Sequence, residues 1–555
     1  MNNRLKLLII SLIVLLGFFL RFYNLGQVPA ALHRDEAFLG YNSYSLLKTS
    51  RDMNGNFLPL HLASFIYSPA GYSYLSIPFI MIFDLNSFSV RFASAFFGSL
   101  TILITFFLAR ELFYKFRSKI WLSLLSSFFL AISPWHINLS RTATENTVVV
   151  FSISLATLLY LIWIRKNSLY LLFLSFILFS LTLFIYQAPR AFLPFFIPLL
   201  IISFLAPKLA KKRMFLIVVL FLSTIIIPLL LIFSSKNLSL RIRTVSILAG
   251  SETQLTLDEQ IREDGVEKTS NFITRIFHNK LIGYSNEVLS NYSKHFSYSF
   301  LFTDQGLPDR YRVPLFGLLY LFELPFLILG VWYLLSIDKK NLFFLIGWIL
   351  LAPIGSSLTF DDVPNLQRTL IIFPALSIVS ALGLLYILSK VNKDKLFGKI
   401  ILGILPVIFI FSILSYLHQY YIHVNKYRPW YRNDGYEKLA KNVNSFKSSY
   451  EKVIVTNRES APTIFFLFYN KYNPKAFQEE TKNTTMQDFD RINFGKFEFS
   501  QEECPLKVDK NGLIVGEKDT LYVNSGLCKS FTQARELGII TRGDNSVVFR
   551  ILDTR

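Results

Sequence analysis

The chain has 555 residues, 52% of them hydrophobic and 56 of them Phe, with a formal charge of +20. A soluble protein of this length would divide into several domains with polar outer faces, and this apolar share excludes that. The basic residues are scattered over short loops and form no patch, which excludes nucleic-acid binding as the reason for the charge.

Apolar runs of roughly 17–25 residues, some shorter, recur along the chain and predict helices that cross a bilayer. There are eleven: Lys6–Phe22, Ser89–Ala109, Ile120–Pro134, Thr147–Ile164, Leu169–Tyr186, Ala191–Leu205, Phe215–Phe233, Leu315–Leu335, Leu342–Leu358, Thr369–Leu388 and Ile400–Tyr420. Arg4, Lys6 and the loops "YKFRSK", "RKN", "KLAKKR", "DKK" and "KVNKDKLFGK" then fall on one side, the pattern of a cytoplasmic face. The N-terminus is therefore expected in the cytoplasm and the C-terminus outside, in a multi-pass protein of the cytoplasmic membrane whose first run is retained. Residues 1–420 make the membrane domain, with outer loops 23–88 and 234–313, and residues 421–555 an extracytoplasmic domain.

The first outer loop contains "LHRDEAFLGYNSYSLLKTS", which places Asp35 and Glu36 side by side. Ala37, Phe38, Tyr41, Tyr44 and Leu47 follow at helical spacing, and a second amphipathic stretch follows "YSPAGYSYLSIPF". Both are expected to lie on the outer membrane surface. The two acids would stand in a first helical turn, where the dipole favours an anion; capping or chemistry would explain them equally.

Further along, "SPWHINLSRTATENTVVVF" supplies His136, Arg141 and Glu145, the last two four apart and able to pair on one helix face. "YQAPRAFLPFF" brings Gln187 and Arg190 to the outer boundary, where an Arg ordinarily snorkels. "SNYSKHFSYSFLFTDQGLPDRYRV" offers Lys294, His295, Arg310 and Arg312, and "TFDDVPNLQRTLIIFPALSIV" opens a late span with Arg368. Arg suits phosphate, because its planar fork donates in pairs. Several arginines beside a carboxylate pair on one rim therefore suggest a lipid-phosphate substrate.

After Tyr421 the composition becomes that of a soluble protein. "YEKVIVTN", "DTLYVNSG" and "NSVVFRILD" read as strands and "APTIFFLFYNKY" as a helix, giving a small α/β domain. Its role is open between binding, a lid and plain stabilisation. Cys504 and Cys528, the only cysteines, both lie here, and a disulfide between them is chemically allowed outside the cytoplasm.

The acid pair after span one, two interfacial helices, a large late outer loop and an Arg-opened, Pro-containing late span together resemble the GT-C glycosyltransferases. Within these, the chain resembles the protein O-mannosyltransferase and lipid A aminoarabinose transferase branch (family 39-like), over roughly Leu5–Leu388. The resemblance implies an α-helical polytopic fold and an inverting transfer of a sugar from a polyprenyl phosphate to an acceptor on the outer face. It implies Asp35 as general base, its pKa raised by a partly dry site, with Glu36 in support. Glu145 stands where relatives commonly show Asp. Arg190, Arg368, Arg310 and Arg141 would hold the donor phosphate, and Tyr67, Gln187 and His295 would line the pocket. Tyr67, in "YSPA", replaces the Lys of a Lys-Pro-Pro segment in the aminoarabinose branch. No cofactor is evident; a divalent metal stays open, although His61, His136 and His295 are scattered and form no ligand cluster. The implied partners are the lipid-linked donor, membrane lipid and an acceptor protein, glycan or lipid. Two competing classes are a transporter or lipid-carrier flippase and a non-catalytic partner in envelope assembly. Charges crowded at one rim, and not mid-span, weigh against transport.

Overall fold

The computed structural model describes residues 3–63, 68–204, 211–234, 245–265, 271–304, 309–391, 395–483, 491–508, 514–528 and 534–554. Ten of the eleven predicted runs lie largely on apolar helices, whereas Leu315–Leu335 is helical only from Glu323. Among the described residues, seven helices are long and apolar enough to cross a membrane, among them α1 (Asn3–Phe22), α4 (Ser87–Leu112) and α7 (Glu145–Lys166). The shorter apolar helices include α3 (Gly71–Phe83), α8 (Leu169–Thr182), α9 (Ala188–Phe204) and Glu323–Ile337. The third run is a bent helix pair, α5 (Lys119–Ile132) and α6 (Pro134–Ser140), whose axes differ by 59°. Pro134 opens α6 at its first turn, where a missing N–H is harmless, and it cannot continue α5.

Buried arginines replace water at this break. Arg21 on α1 donates to the carbonyls of Leu130 and Ala131, both at 3.1 Å, which are among the orphan acceptors at the end of α5. Elsewhere close approach needs glycine. A Cβ on Gly330 or Gly383 would strike the backbone of the facing helix, so Glu323–Ile337 and Phe373–Lys390 cross with their main chains in contact.

The C-terminal sheet has the order β4–β3–β7–β9–β8. Strand β3 (Lys452–Thr456) pairs in parallel with β4 (Phe497–Ser500) and with β7 (Thr520–Ser525). Strand β9 (Val547–Asp553) runs antiparallel to both β7 and β8 (Arg535–Thr541). Two short pairs stand apart: β1 (His61–Leu62) with β2 (Ser68–Pro69), and β5 (Lys507–Val508) with β6 (Ile514–Val515). Cys504 and Cys528 are bonded, tying the segment after β4 to the end of β7.

One expectation fails. Helix α2 (Arg34–Thr49) is no surface helix: Glu36 through Ser43 are all buried. It lies against α3 and α4 on the membrane-domain side, and Pro462–Tyr469 and Pro474–Glu480 of the C-terminal domain cover it from the other. The apolar positions read as a face toward lipid are used instead for packing between two domains.

Candidate active site

The two adjacent acids do different work because of where they fall in the first turn of α2. His33 is the N-cap, and its ring accepts from Asp35 N while Glu36 accepts from His33 N, a reciprocal capping box. Glu36 also takes both hydrogen bonds of a buried ion pair with Arg91 at 2.9 and 3.2 Å, and a 2.7 Å bond from Ala143 N. Burial works against its charge, but Arg91 prevails and holds the Glu36 carboxyl below its ordinary value. Arg91 in turn donates to the carbonyls of Leu25, Pro29 and Ala31, so one guanidinium shapes the whole entry to α2. Sequence reasoning left Arg91 inside the second span without a role. An arginine within an apolar run was the available signal.

Asp35 points elsewhere. It lines a cavity of about 1360 Å³ together with Glu145, Gln187, Arg190, Arg310 and Arg368. One part of the wall is apolar, with Phe233, Ile247, Leu281, Val288, Leu289 and Leu358. The Asp35 side chain is 42% exposed, with its carboxylate 3.3 Å from the His33 ring. Burial favours protonation, yet His33, then Arg310 and Arg34, hold the Asp35 carboxyl well below the usual carboxylate range. The expected raised pKa is thus reversed: the site is rich in cations more than it is dry.

The remaining groups each have a visible support. Ser68 donates to Glu145 at 3.1 Å. Glu145 opens α7 while Arg141 follows the end of α6, so the two are not on one helix face as their spacing allowed. Arg190 donates to the Leu183 carbonyl and lies 2.7 Å from His61 Nε2. Burial, and then the Arg190 charge, push the His61 pKa down to about 4, which leaves its ring neutral and able to accept. Arg310 pairs with Asp362 at 2.7 Å, and Arg368 donates to Thr359 and to the Asp361 carbonyl.

Two expected residues do not join them. Arg141 is fully buried away from the cavity; it donates to the carbonyls of Leu20 and Val28 and lies over the rings of Tyr420 and Tyr421. It joins the end of α1 to the last span and is no phosphate ligand here. His295 is buried between the Asn291 carbonyl, Ser356 and the Asn365 N–H, so it braces the segment leading to Arg368 without lining the cavity. Tyr67 lies outside the described residues. Among the described residues, no group of His, Cys, Asp and Glu is placed to hold a metal ion.

Residues 68–232 match the family described as dolichyl-phosphate-mannose-protein mannosyltransferase. No curated protein matches the chain by sequence. Among solved structures, the chain is similar to the archaeal oligosaccharyltransferase AglB from Archaeoglobus fulgidus, in complex with an inhibitory peptide and a dolichol-phosphate: TM-score 0.52, 14% identity, over 84% of this chain. It spans 63% of that protein's length. It is also similar to ArnT from Cupriavidus metallidurans bound to undecaprenyl phosphate, with TM-score 0.50 and 11% identity over 99% of this chain and 98% of that one. The chain thus shares its fold with AglB and ArnT, and part of it, residues 68–232, matches a mannosyltransferase family.

Proposed function

We propose that the chain is an integral-membrane glycosyltransferase. It moves a sugar from a polyprenyl-phosphate donor to an acceptor hydroxyl at the outer face of the cytoplasmic membrane, with inversion. The observation that carries this reading is that one cavity holds Asp35, four arginines and an apolar wall. The wall suits an isoprenoid chain, and Arg190, Arg310 and Arg368 suit the phosphate. Two structural neighbours that hold polyprenyl phosphates support the same donor class. The Cys504–Cys528 bond supports an outer, oxidising location for the C-terminal domain.

In the proposed step the acceptor oxygen bonds to the sugar's anomeric carbon as the bond from that carbon to the phosphate oxygen breaks. The electron pair leaves with the phosphate, where the arginines stabilise the growing charge. The hydroxyl proton passes to Asp35. Attack from the face opposite the phosphate inverts the centre. The lowered pKa of Asp35 keeps the carboxylate ionised and free to accept that proton.

Asp35→Asn tests the proposal in the purified full chain with a panel of polyprenyl-phosphate-linked sugars. Transfer should fall by roughly 10²–10⁴-fold, with donor binding nearly unchanged. Transfer at the parent rate would remove Asp35 from the chemistry and leave Glu145 as the base.

A further inference from the structure

The stretch "TFDDVPNLQR" places two acids, Asp361 and Asp362, shortly before Arg368. Both reach the cavity's arginines. Asp362 Oδ2 lies 2.7 Å from Arg310, and Arg368 lies 3.8 Å from Asp361 Oδ2 while donating to the Asp361 carbonyl at 2.8 Å. Asp361, Asp362, Arg310 and Arg368 all line the cavity. The Asp361 side chain is 54% exposed, so water can take its place on Arg368 at little cost. The segment's ends are pinned: Phe360 N donates to the Val245 carbonyl, and Asn365 N to His295. The acids can leave the arginines but cannot leave the site.

We propose that Asp361 and Asp362 are built-in counter-anions, which yield Arg368 and Arg310 to the donor phosphate and take them back to drive off the spent carrier. This rests on the lipid-phosphate reading above. The physical need comes from charge. A donor phosphodiester carries one negative charge, whereas the phosphomonoester left after transfer carries about −1.5 to −2 at neutral pH. A cavity presenting Arg190, Arg310, Arg368 and Lys280 without compensation would hold its product more tightly than its substrate. Tethered carboxylates compete at an effective concentration fixed by the loop. They raise the cost of keeping the phosphate for both ligands, and more for the doubly charged one.

The experiment measures binding to the full chain in detergent of two probes, undecaprenyl phosphate and its methyl diester, at pH 7.5. Parent, Asp361→Asn, Asp362→Asn and the double variant are compared, with each variant's fold checked by thermal unfolding. Each Asn variant should bind the monoester about tenfold more tightly, the effect of one nearby unit charge in a half-exposed site. The diester should gain less, and raised salt should shrink the difference. In turnover, kcat should fall together with the donor KM, the sign of slowed release. Unchanged or weaker monoester binding in both single variants would mean that the acids merely hold the arginines in place, and overturns the inference. Equal tightening for monoester and diester overturns it as well. A parent chain that binds neither probe would instead overturn the donor reading itself, and this inference with it.

Discussion

Arg91→Met is the most demanding perturbation of the site's frame. The Arg91 side chain has no exposure and that of Glu36 has 6%, so the pair is shielded from solvent. Removing the guanidinium leaves an ionised carboxylate without its cation, which costs about 3–5 kcal/mol in buried pairs. Three carbonyls, of Leu25, Pro29 and Ala31, lose their donor too. The pH dependence should change sign. In the parent, Glu36 titrates below its unfolded value of about 4.3, so its contribution is complete above that value and lost only as pH falls further. In the variant only burial acts strongly, the carboxyl's affinity for a proton rises, and stability should increase as pH falls from about 8 to 5. Thermal unfolding of the detergent-purified chain, followed by tryptophan fluorescence across that range, reads both effects. Adding Glu36→Gln to Arg91→Met should restore part of the loss, because the stranded charge is gone. A variant within about 1 kcal/mol of the parent with no pH slope would refute a structural ion pair here.

Arg190→Ala and Arg368→Ala should each weaken undecaprenyl phosphate binding, and Lys in either place should restore it only partly, since the paired donors are lost; unchanged affinity in both would leave these arginines as boundary residues. His61→Gln keeps an acceptor for Arg190 and should hold the donor KM near the parent value, whereas His61→Leu should raise it several-fold. Because His61 titrates near 4, donor binding should show no His61-dependent step between about pH 6 and 8 in a pH series. A cysteine placed at the exposed Ser445 should react with an impermeant thiol reagent on intact cells, and one at Lys119 should not; the reverse pattern would invert the topology.

Spans and their order were legible because hydropathy alone decides them, and even the bent helix pair showed itself as a short run ending in "SP". The same holds for β3, β7, β9 and the helix Pro462–Tyr469, each an apolar block bounded by turn residues. Two strands of the five-stranded sheet were missed: β4 because "FEFS" is brief, and β8 because "RELGIIT" mixes exposed and buried positions. At the site, Asp35, Arg190, Arg310 and Arg368 could be found because charge at a membrane rim is costly and rare. Arg141 looked equivalent, and no local pattern separates an arginine that closes helix ends from one that faces a cavity. That distinction depends on which carbonyls happen to lie within 3 Å, here those of Leu20 and Val28, more than a hundred residues away. The division of labour between Asp35 and Glu36 was hidden for the same reason, since Arg91 comes from α4 and Ala143 from the connection between α6 and α7.

The role of the C-terminal domain, open from the sequence, follows from how α2 is held. A helix start surrounded by protein needs partners for its first N–H groups. Arg34 N donates to Asn433 Oδ1 at 3.3 Å, and Arg34 Nη1 to Ser460 Oγ at 3.0 Å, both from the C-terminal domain. Asn433 also donates to the Glu459 carbonyl, locking its own orientation. Asn425 accepts from Ala30 N at 2.7 Å, and Gln478 donates to the Asp52 carbonyl beyond the far end of the helix. Asp35 is thus aimed from one side by this domain, while Arg190, Arg310 and Arg368 are carried by elements of the membrane domain. Loosening the clamp should therefore disturb the base and spare the phosphate site. Ser460→Ala with Asn433→Ala removes two bonds worth about 1 kcal/mol each, and kcat should fall roughly tenfold or somewhat more. Undecaprenyl phosphate affinity should stay at the parent value. If donor affinity falls and kcat does not, the domain supports the phosphate site and not α2.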